Sequence, residues 1–238
     1  MKRKGIFETV RVEKGRAVLL SLHFDRLRKG ASFLDIPLGL SLEDFAEIIL
    51  SGCSNDSCLV RFTLFSDGSY TVSGRPCVKR DSVKLLPLYS VRRNFSPLSL
   101  VKKLDIMDSL YALGVAEKKG YDEAVLFDPC GFLSEAAFAN IFFLKGGVLF
   151  TPSLKTGCLP GTRRTFLIDL CREMGISVIE GFFRLEELLQ ADEVFITSAR
   201  EDAVPVVQIG SFRLSLPKGK PFYQRFKEVI YFRTFCST

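Results

Sequence analysis

Apolar and polar residues alternate in short runs along the first part of the chain. "FETVRV" and "RAVLLSL" read as strands, and "EKG" between them marks a hairpin in which Gly15 can take positive φ. The period changes in "HFDRLRKGASFL", where Phe24, Leu27, Ala31 and Leu34 recur on one helical face. "SLEDFAEIIL" predicts a second helix, with Ser41 as N-cap and Asp44 three residues later. "LVRFTLF" and "YTVSG" pair around Asp67-Gly68, "VKLLPLYSV" is a further strand, and "RRNFSPLS" reads as a linker.

An apolar run, Leu98 to Val101, then delivers the pair Lys102-Lys103 directly before a predicted helix. Asp105 is its expected N-cap, and Asp108 completes an acidic capping box. Ile106, Met107, Leu110, Tyr111 and Gly114 give this helix its apolar stripe. "EAVLFD", "FANIFFL" and "VLFTP" are strands, the last two joined by Gly146-Gly147. "RTFLIDLCREMG" is an amphipathic helix closed by Gly175, and "EVFITSA" and "AVPVVQI" are further strands. The order is too irregular for a doubly wound sheet. It predicts two α+β domains, residues 1–97 and 98–238, joined near residues 92–99.

Composition narrows the function classes. The 238 residues suffice for one large or two small domains, and 47% hydrophobic with 25% charged residues exclude a disordered chain. A net charge of +6 suits an anionic ligand or a nucleic acid. Cations and acids are interleaved without a basic block or an aromatic ribonucleoprotein-type motif, which favours a solvated basic surface over nucleic-acid binding. No apolar segment approaches membrane-spanning length and no signal peptide is visible, so no membrane partner and a cytoplasmic location are expected. The seven cysteines are scattered and never spaced C-x-x-C, and there is one histidine. This pattern argues against a zinc site and for reduced thiols. The lone histidine, His23, reads as a partly buried packing residue, which disfavours a Ser-His-Asp or Cys-His nucleophile.

Four features could carry chemistry. Lys102 or Lys103 sits at the domain junction. Glu135 lies among small and apolar residues in "GFLSEAAFANIFF". Gly161-Thr162-Arg163 opens a helix whose first amides could hold an anion. Arg26 lies on the flank of the first helix. Each has a plainer reading: a solvated lysine pair, an acid satisfying backbone amides, an ordinary helix start, and a surface arginine paired with Asp25 or Asp35. Taken together they suggest pyridoxal 5′-phosphate, which needs a lysine for its Schiff base, a carboxylate for its pyridine nitrogen, and arginine and backbone amides for its phosphate.

"FETVRVEKGRAVLLSLHFDRLRKGA", "SPLSLVKKLD", "GYDEAVLFDPCGFLSEAAFANIFFLKGGVLFTP", "CLPGTRR" and "ADEVFITSAREDAVPV" stand in the order seen in fold-type IV (class IV) pyridoxal-phosphate enzymes. The chain resembles that family over residues 5–210. The family holds branched-chain aminotransferases, D-amino acid aminotransferases and 4-amino-4-deoxychorismate lyases. The resemblance implies an α+β, two-domain fold like that of D-amino acid aminotransferase, with the cofactor between the domains, a small anionic amino compound as substrate, and a homodimer. It implies Lys102 as the cofactor-anchoring lysine, with Lys103 pointing elsewhere. Arg26 is then the phosphate arginine, Glu135 the pyridine-nitrogen acid and Leu159 the residue under the ring. Gly161, Thr162 and Arg163 fall at the phosphate-binding helix start, and Ser198 and Ala199 in the second phosphate-side turn.

The chain also departs from the family. Many relatives have Thr where it has Arg163 and Ala199, only six residues precede Phe7, and the "SDGS" loop lacks the Arg-x-His of D-amino acid aminotransferases. The pocket of aromatic residues and arginine in branched-chain enzymes has no counterpart. The "FET-R-V…G" start, the "SPL…VK" approach and the brief total length resemble the lyase branch most, and Ala199 is compatible with it. The leading expectation is therefore a 4-amino-4-deoxychorismate lyase, which eliminates pyruvate to give 4-aminobenzoate for folate biosynthesis. A class IV aminotransferase acting on branched-chain or D-amino acids is the alternative, and a catalytically idle relative is a third.

Overall fold

The computed structural model describes residues 4–215 and 220–236. The fold is α+β, and its backbone divides into two compact units. One comprises the chain up to Lys79, the segment Val101–Asp105 and the chain from Ile230. The other comprises Arg80–Leu100 and Ile106–Val229.

The first unit is built on β1 (Gly5–Glu13), which turns through Lys14-Gly15 into the short β2 (Arg16–Ala17). Antiparallel to β1 runs β3 (Ser57–Phe65), which pairs in turn with β4 (Tyr70–Pro76). Helices α1 (Leu20–Phe33) and α2 (Leu42–Ser51) supply the other half of its core. Alternation decides which residues enter that core. Ile6, Val10 and Val12 of β1 and Val60, Phe62 and Leu64 of β3 pack with Leu27, Ala31, Phe45 and Ile49. The predicted capping box at α2 is present: Asp44 N–H donates to Ser41 Oγ at 3.1 Å, and Ser41 N–H to Asp44 Oδ2 at 2.9 Å. Residues 101–104 lie along the start of β1, where Phe7 N–H donates to the Lys102 carbonyl and Leu104 N–H to the Gly5 carbonyl, both at 3.0 Å.

The second unit is built on β5 (Val83–Arg92), β6 (Glu123–Phe127), β7 (Leu133–Ala136), β8 (Asn140–Lys145), β9 (Val148–Pro152), β10 (Val178–Gly181), β11 (Glu193–Thr197), β12 (Val204–Ile209) and β13 (Phe212–Arg213). They form a mixed sheet in the order β10-β9-β8-β11-β12-β5-β6-β7, with β13 on β12. Its helices are α3 (Met107–Lys118), α4 (Thr162–Glu173) and α5 (Leu185–Leu189); α6 (Phe222–Phe235) belongs to this unit through Val229. Val125, Phe127, Ile141, Phe143, Ile196 and Val206 are at the centre of the main core. Among the described residues no helix is long and apolar enough to cross a membrane.

Four expectations are corrected. The strand expected over "RAVLLSL" stops at Ala17, and the chain enters α1 at Leu20, because a buried helix start and a buried strand share the same apolar run. The helix after the lysines begins at Met107 with Ile106 at the cap position and no side-chain cap bond, so Asp105 does not cap it. Cys53 and Cys58 form a disulfide, with Cα atoms 5.6 Å apart across the α2–β3 loop, where reduced thiols were expected.

The fourth correction concerns the stripe of α3. Its large residues face outward: Met107, Leu110 and Tyr111 are 58%, 47% and 60% exposed. The buried face is the small one, Ser109, Ala112 and Ala116, and its alanines pack with Leu88, Val91, Ala124 and Leu126. Small side chains let the helix backbone approach the sheet closely, and no room is left for larger ones. Ala116→Leu should therefore lower the unfolding free energy by about 1–3 kcal/mol through overpacking. Denaturant titration checks this, and an unchanged midpoint would mean that the face has slack.

Candidate active site

The first unit contains a buried charge cluster. Glu8 sits on the α1 side of β1, in step with Ile6 and Val10, and is 1% exposed. Arg26, in the second turn of α1, donates Nε to Glu8 Oε1 at 2.8 Å and Nη2 to Oε2 at 2.7 Å. His23, one turn earlier, places Nδ1 2.6 Å from Glu8 Oε2. Burial pushes the Glu8 carboxyl up, but the Arg26 charge and its hydrogen bonds, with His23, outweigh this and bring it down to about 2. Arg26 is thus not a surface arginine but is paired with the buried Glu8, and His23 is fully buried rather than partly.

Lys102 approaches β1 from the other face. Its Nζ lies 4.6 Å from the centroid of the Phe7 ring, over which the Arg61 guanidinium also sits at 3.9 Å. Arg61 has its pKa lowered, by burial first and by the Arg75 charge second. Val101, the neighbouring residue, packs into the core beneath α1, so the segment alternates as an extended chain does. Lys103 pairs with Ile6 through a backbone bridge. The structure therefore brings Arg26 to Glu8 and His23, and Lys102 to Phe7.

The second unit gathers the remaining residues. Glu135 on β7 accepts Arg93 Nε at 2.9 Å and the Leu159 N–H at 3.0 Å, while Arg93 Nη2 also reaches Ser109 Oγ at 2.5 Å. The Leu159 carbonyl accepts Asn140 Nδ2 at 2.8 Å. Gly161, at the cap position of α4, folds back through its N–H to the Leu159 carbonyl at 2.9 Å. A Cβ on Gly161 would collide with Asn140 Oδ1, so a larger residue there would push the Asn140 amide off the Leu159 carbonyl. The first bond of the α4 ladder is Thr165 N–H to the Gly161 carbonyl, which leaves the amides of residues 162–164 ahead of it, at the positive end of the helix dipole. Thr162 and Arg163 are both buried, and Arg163 Nε donates to Asp202 Oδ1 at 3.2 Å.

That last bond ties α4 to the turn after β11. In this turn Ser198 Oγ lies 2.6 Å from Glu201 Oε2, and Glu201 Oε1 accepts Arg80 Nε at 2.7 Å. Ala199 is half-buried beside them. Glu123, 3.7 Å from Arg80 and buried, has its carboxyl pushed up to about 7 by burial, against the lowering charge of Arg80. Glu135, Leu159, Gly161, Thr162 and Arg163 thus form one connected group, and Asp202 joins it to the turn of Ser198 and Ala199.

Sequence reasoning missed Glu8, Arg93, Asn140 and Glu201. Glu8 had a signal, since it occupies an inward position of an otherwise apolar alternation. Arg93 meets Ser109 16 residues away, Asn140 meets Leu159 19 away and Glu201 meets Arg80 121 away, and no local pattern announces those contacts.

The chain matches the family model for class IV aminotransferases over residues 5–209. It is 32% identical over 228 residues to a Methanocaldococcus jannaschii protein provisionally named a branched-chain-amino-acid aminotransferase, covering 86% of this chain and 78% of that one. The aminodeoxychorismate lyase of Bacillus subtilis is 28% identical over 226 residues, covering 86% and 77%. A solved structure from Legionella pneumophila, provisionally named a 4-amino-4-deoxychorismate lyase, superposes with a TM-score of 0.87 at 22% identity, covering 96% of this chain and 91% of that one. The chain belongs to the class IV aminotransferase family, whose members are pyridoxal-phosphate-dependent enzymes.

The Glu8 cluster yields a prediction with a definite sign. A carboxyl depressed from 4.5 to about 2 stabilises the folded state above the higher value, and this contribution fades as pH falls through the lower one. Glu8→Gln leaves Arg26 without its buried counter-charge and should cost about 3–5 kcal/mol at pH 7. Denaturant midpoints measured from pH 7 down to pH 2 should converge for the two proteins in acid. A constant gap across that range would mean that Glu8 does not titrate with folding.

Proposed function

We propose that the protein is a 4-amino-4-deoxychorismate lyase. The reading rests on the identity to the Bacillus subtilis lyase across most of both chains, together with Ala199 and the "SPL…VK" approach to the lysine. The donors present suit the family's cofactor. Glu135, already accepting from a guanidinium and an N–H, offers a carboxylate to the ring nitrogen. In the second unit the N-terminus of α4 at Gly161, Thr162 and Arg163 and the Ser198–Ala199 turn would suit the phosphate, and Leu159 would support the ring. In the first unit the family resemblance assigns Arg26 to the phosphate and Lys102 as the amine that would anchor the cofactor. When bound, pyridoxal 5′-phosphate supplies the electron sink.

Lys102 Nζ takes the proton from the substrate's ring carbon. The ring C–O bond breaks, and that proton and the enolpyruvyl group leave together as pyruvate, while the ring becomes the aromatic 4-aminobenzoate. A positioned amine of this kind contributes about 10²–10⁴-fold in rate. Atoms balance without a second substrate. The expected result is equal amounts of pyruvate and 4-aminobenzoate from aminodeoxychorismate with no keto acid present.

A second reading, a branched-chain or D-amino acid aminotransferase, is favoured by the 32% identity to the Methanocaldococcus jannaschii protein. It uses the same lysine but needs a keto acid in each cycle. Transfer from leucine, glutamate or D-alanine to a keto acid, with no 4-aminobenzoate formed, would establish it in place of the lyase. Under both readings borohydride should fix the cofactor onto the peptide containing Lys102. Lys102→Ala should abolish the label and Lys103→Ala should keep it, whereas a label on Lys103 displaces the assignment by one residue.

The protein acts as a homodimer in this reading. The outward row Met107, Leu110 and Tyr111 on α3 is an apolar face of the kind that a second copy covers. Sedimentation should show a dimer that Leu110→Asp dissociates. A wild-type monomer at micromolar concentration would remove the proposal.

A further inference from the structure

The turn between β11 and β12 is held by more bonds than a connection of two antiparallel strands needs. Ser198 Oγ accepts the Arg200 N–H at 3.2 Å and lies 2.6 Å from Glu201 Oε2. Glu201 is 1% exposed, and its other oxygen accepts Arg80 Nε at 2.7 Å, with Arg200 Nε at 3.8 Å. A hydroxyl has a single proton, and an ionised carboxylate can only accept. The Ser198 proton is therefore committed to Glu201 and is not available to an outside anion. The far end of the turn is fixed as well. Asp202 N–H donates to the Ser198 carbonyl at 3.1 Å, Asp202 Oδ1 accepts from Arg163, and these bonds hold Asp202 at φ 63°, a left-handed conformation that Asp tolerates better than most residues.

We propose that Glu201 is a positioning residue for the cofactor phosphate: braced by Arg80, it draws the Ser198 hydroxyl inward and fixes the shape of the turn, so that the turn meets the phosphate through its backbone at Ala199 and not through a hydroxyl. The inference rests on the cofactor reading given above. Arg80 is itself fixed, because Nη1 donates to the Asp122 carbonyl at 3.3 Å and Glu123 lies beside Nη2. The line Arg80–Glu201–Ser198 is thus a brace anchored at its far end. Glu201 does not touch the cofactor in this scheme; it acts through Ser198.

The test compares two ligands that differ only in the phosphate. Dissociation constants of pyridoxal 5′-phosphate and pyridoxal are measured on the full-length protein freed of cofactor. Glu201→Gln should raise the constant for pyridoxal 5′-phosphate about tenfold, the effect of roughly one hydrogen bond, and leave that for pyridoxal unchanged. Arg80→Lys keeps the charge but loses the planar fork, and should shift the same ligand in the same direction should the first variant fail to fold. Equal weakening of both ligands would make Glu201 a general structural residue and overturn the proposal, as would no weakening of either. Equal affinity of the wild-type protein for the two ligands is a different failure, because it removes the phosphate site itself.

Discussion

Two donors reach the Glu135 carboxylate from separate parts of the second unit, the Arg93 guanidinium just after β5 and the Leu159 N–H just before α4. A carboxylate that is 12% exposed cannot rely on water, so these bonds are what make its position on β7 tolerable. The same bonds have a geometric consequence. Holding the Leu159 N–H fixes the loop ahead of α4, and Asn140 on β8 holds the Leu159 carbonyl from the other side. With both of its backbone groups taken, Leu159 dictates where Gly161 turns and hence where α4 begins. The placement of the helix amides follows from an acid and an amide on β7 and β8, two strands consecutive in the chain. Loss of either would move the helix start.

The first unit solves a similar problem by a different route. Glu8 is placed by β-strand alternation among Ile6, Val10 and Val12, a position that favours apolar residues. His23 and Arg26, one turn apart on α1, converge on it, and their charges and hydrogen bonds together outweigh the desolvation of its carboxylate. This fixes the rotation of α1 about its axis, because only one face of the helix can meet the carboxylate. It also fixes which part of Arg26 is committed: Nε and Nη2 are bound to Glu8.

Where the signal was local, the chain could be read directly. The α2 capping box and the Asp67-Gly68 hairpin are decided by residues three or four apart, and the structure has both. The glycine that caps the "GTRR" helix was likewise visible as a helix start. Local signal misled in α3, where the apolar stripe is real but faces outward, because the alternative face of Ser109, Ala112 and Ala116 allows a closer approach to the sheet. Hydrophobic periodicity ranks faces by apolarity, whereas packing against a sheet also ranks them by size. The Cys53–Cys58 bridge was invisible for another reason: it depends on how the α2–β3 loop closes. Glu135 and Arg26 were found as charges in unusual places, but their partners were not, since Arg93 and Glu8 become neighbours only through the tertiary fold.

The departures from the family pattern are accommodated in the structure in an orderly way. A cation in the first turn of a helix opposes the dipole, and Arg163 is the second residue of α4. Its side chain is buried, and it donates Nη1 to Thr162 Oγ1 at 3.4 Å and Nε to Asp202 Oδ1. That contact transfers the burden to the next turn, where Asp202 is held in a left-handed conformation and Ser198 and Glu201 complete the frame. Arg163 and Asp202 therefore fix one another, the first at the start of α4 and the second at the end of the Ser198–Asp202 turn, and the side chain of Ala199 brings no hydroxyl to that turn.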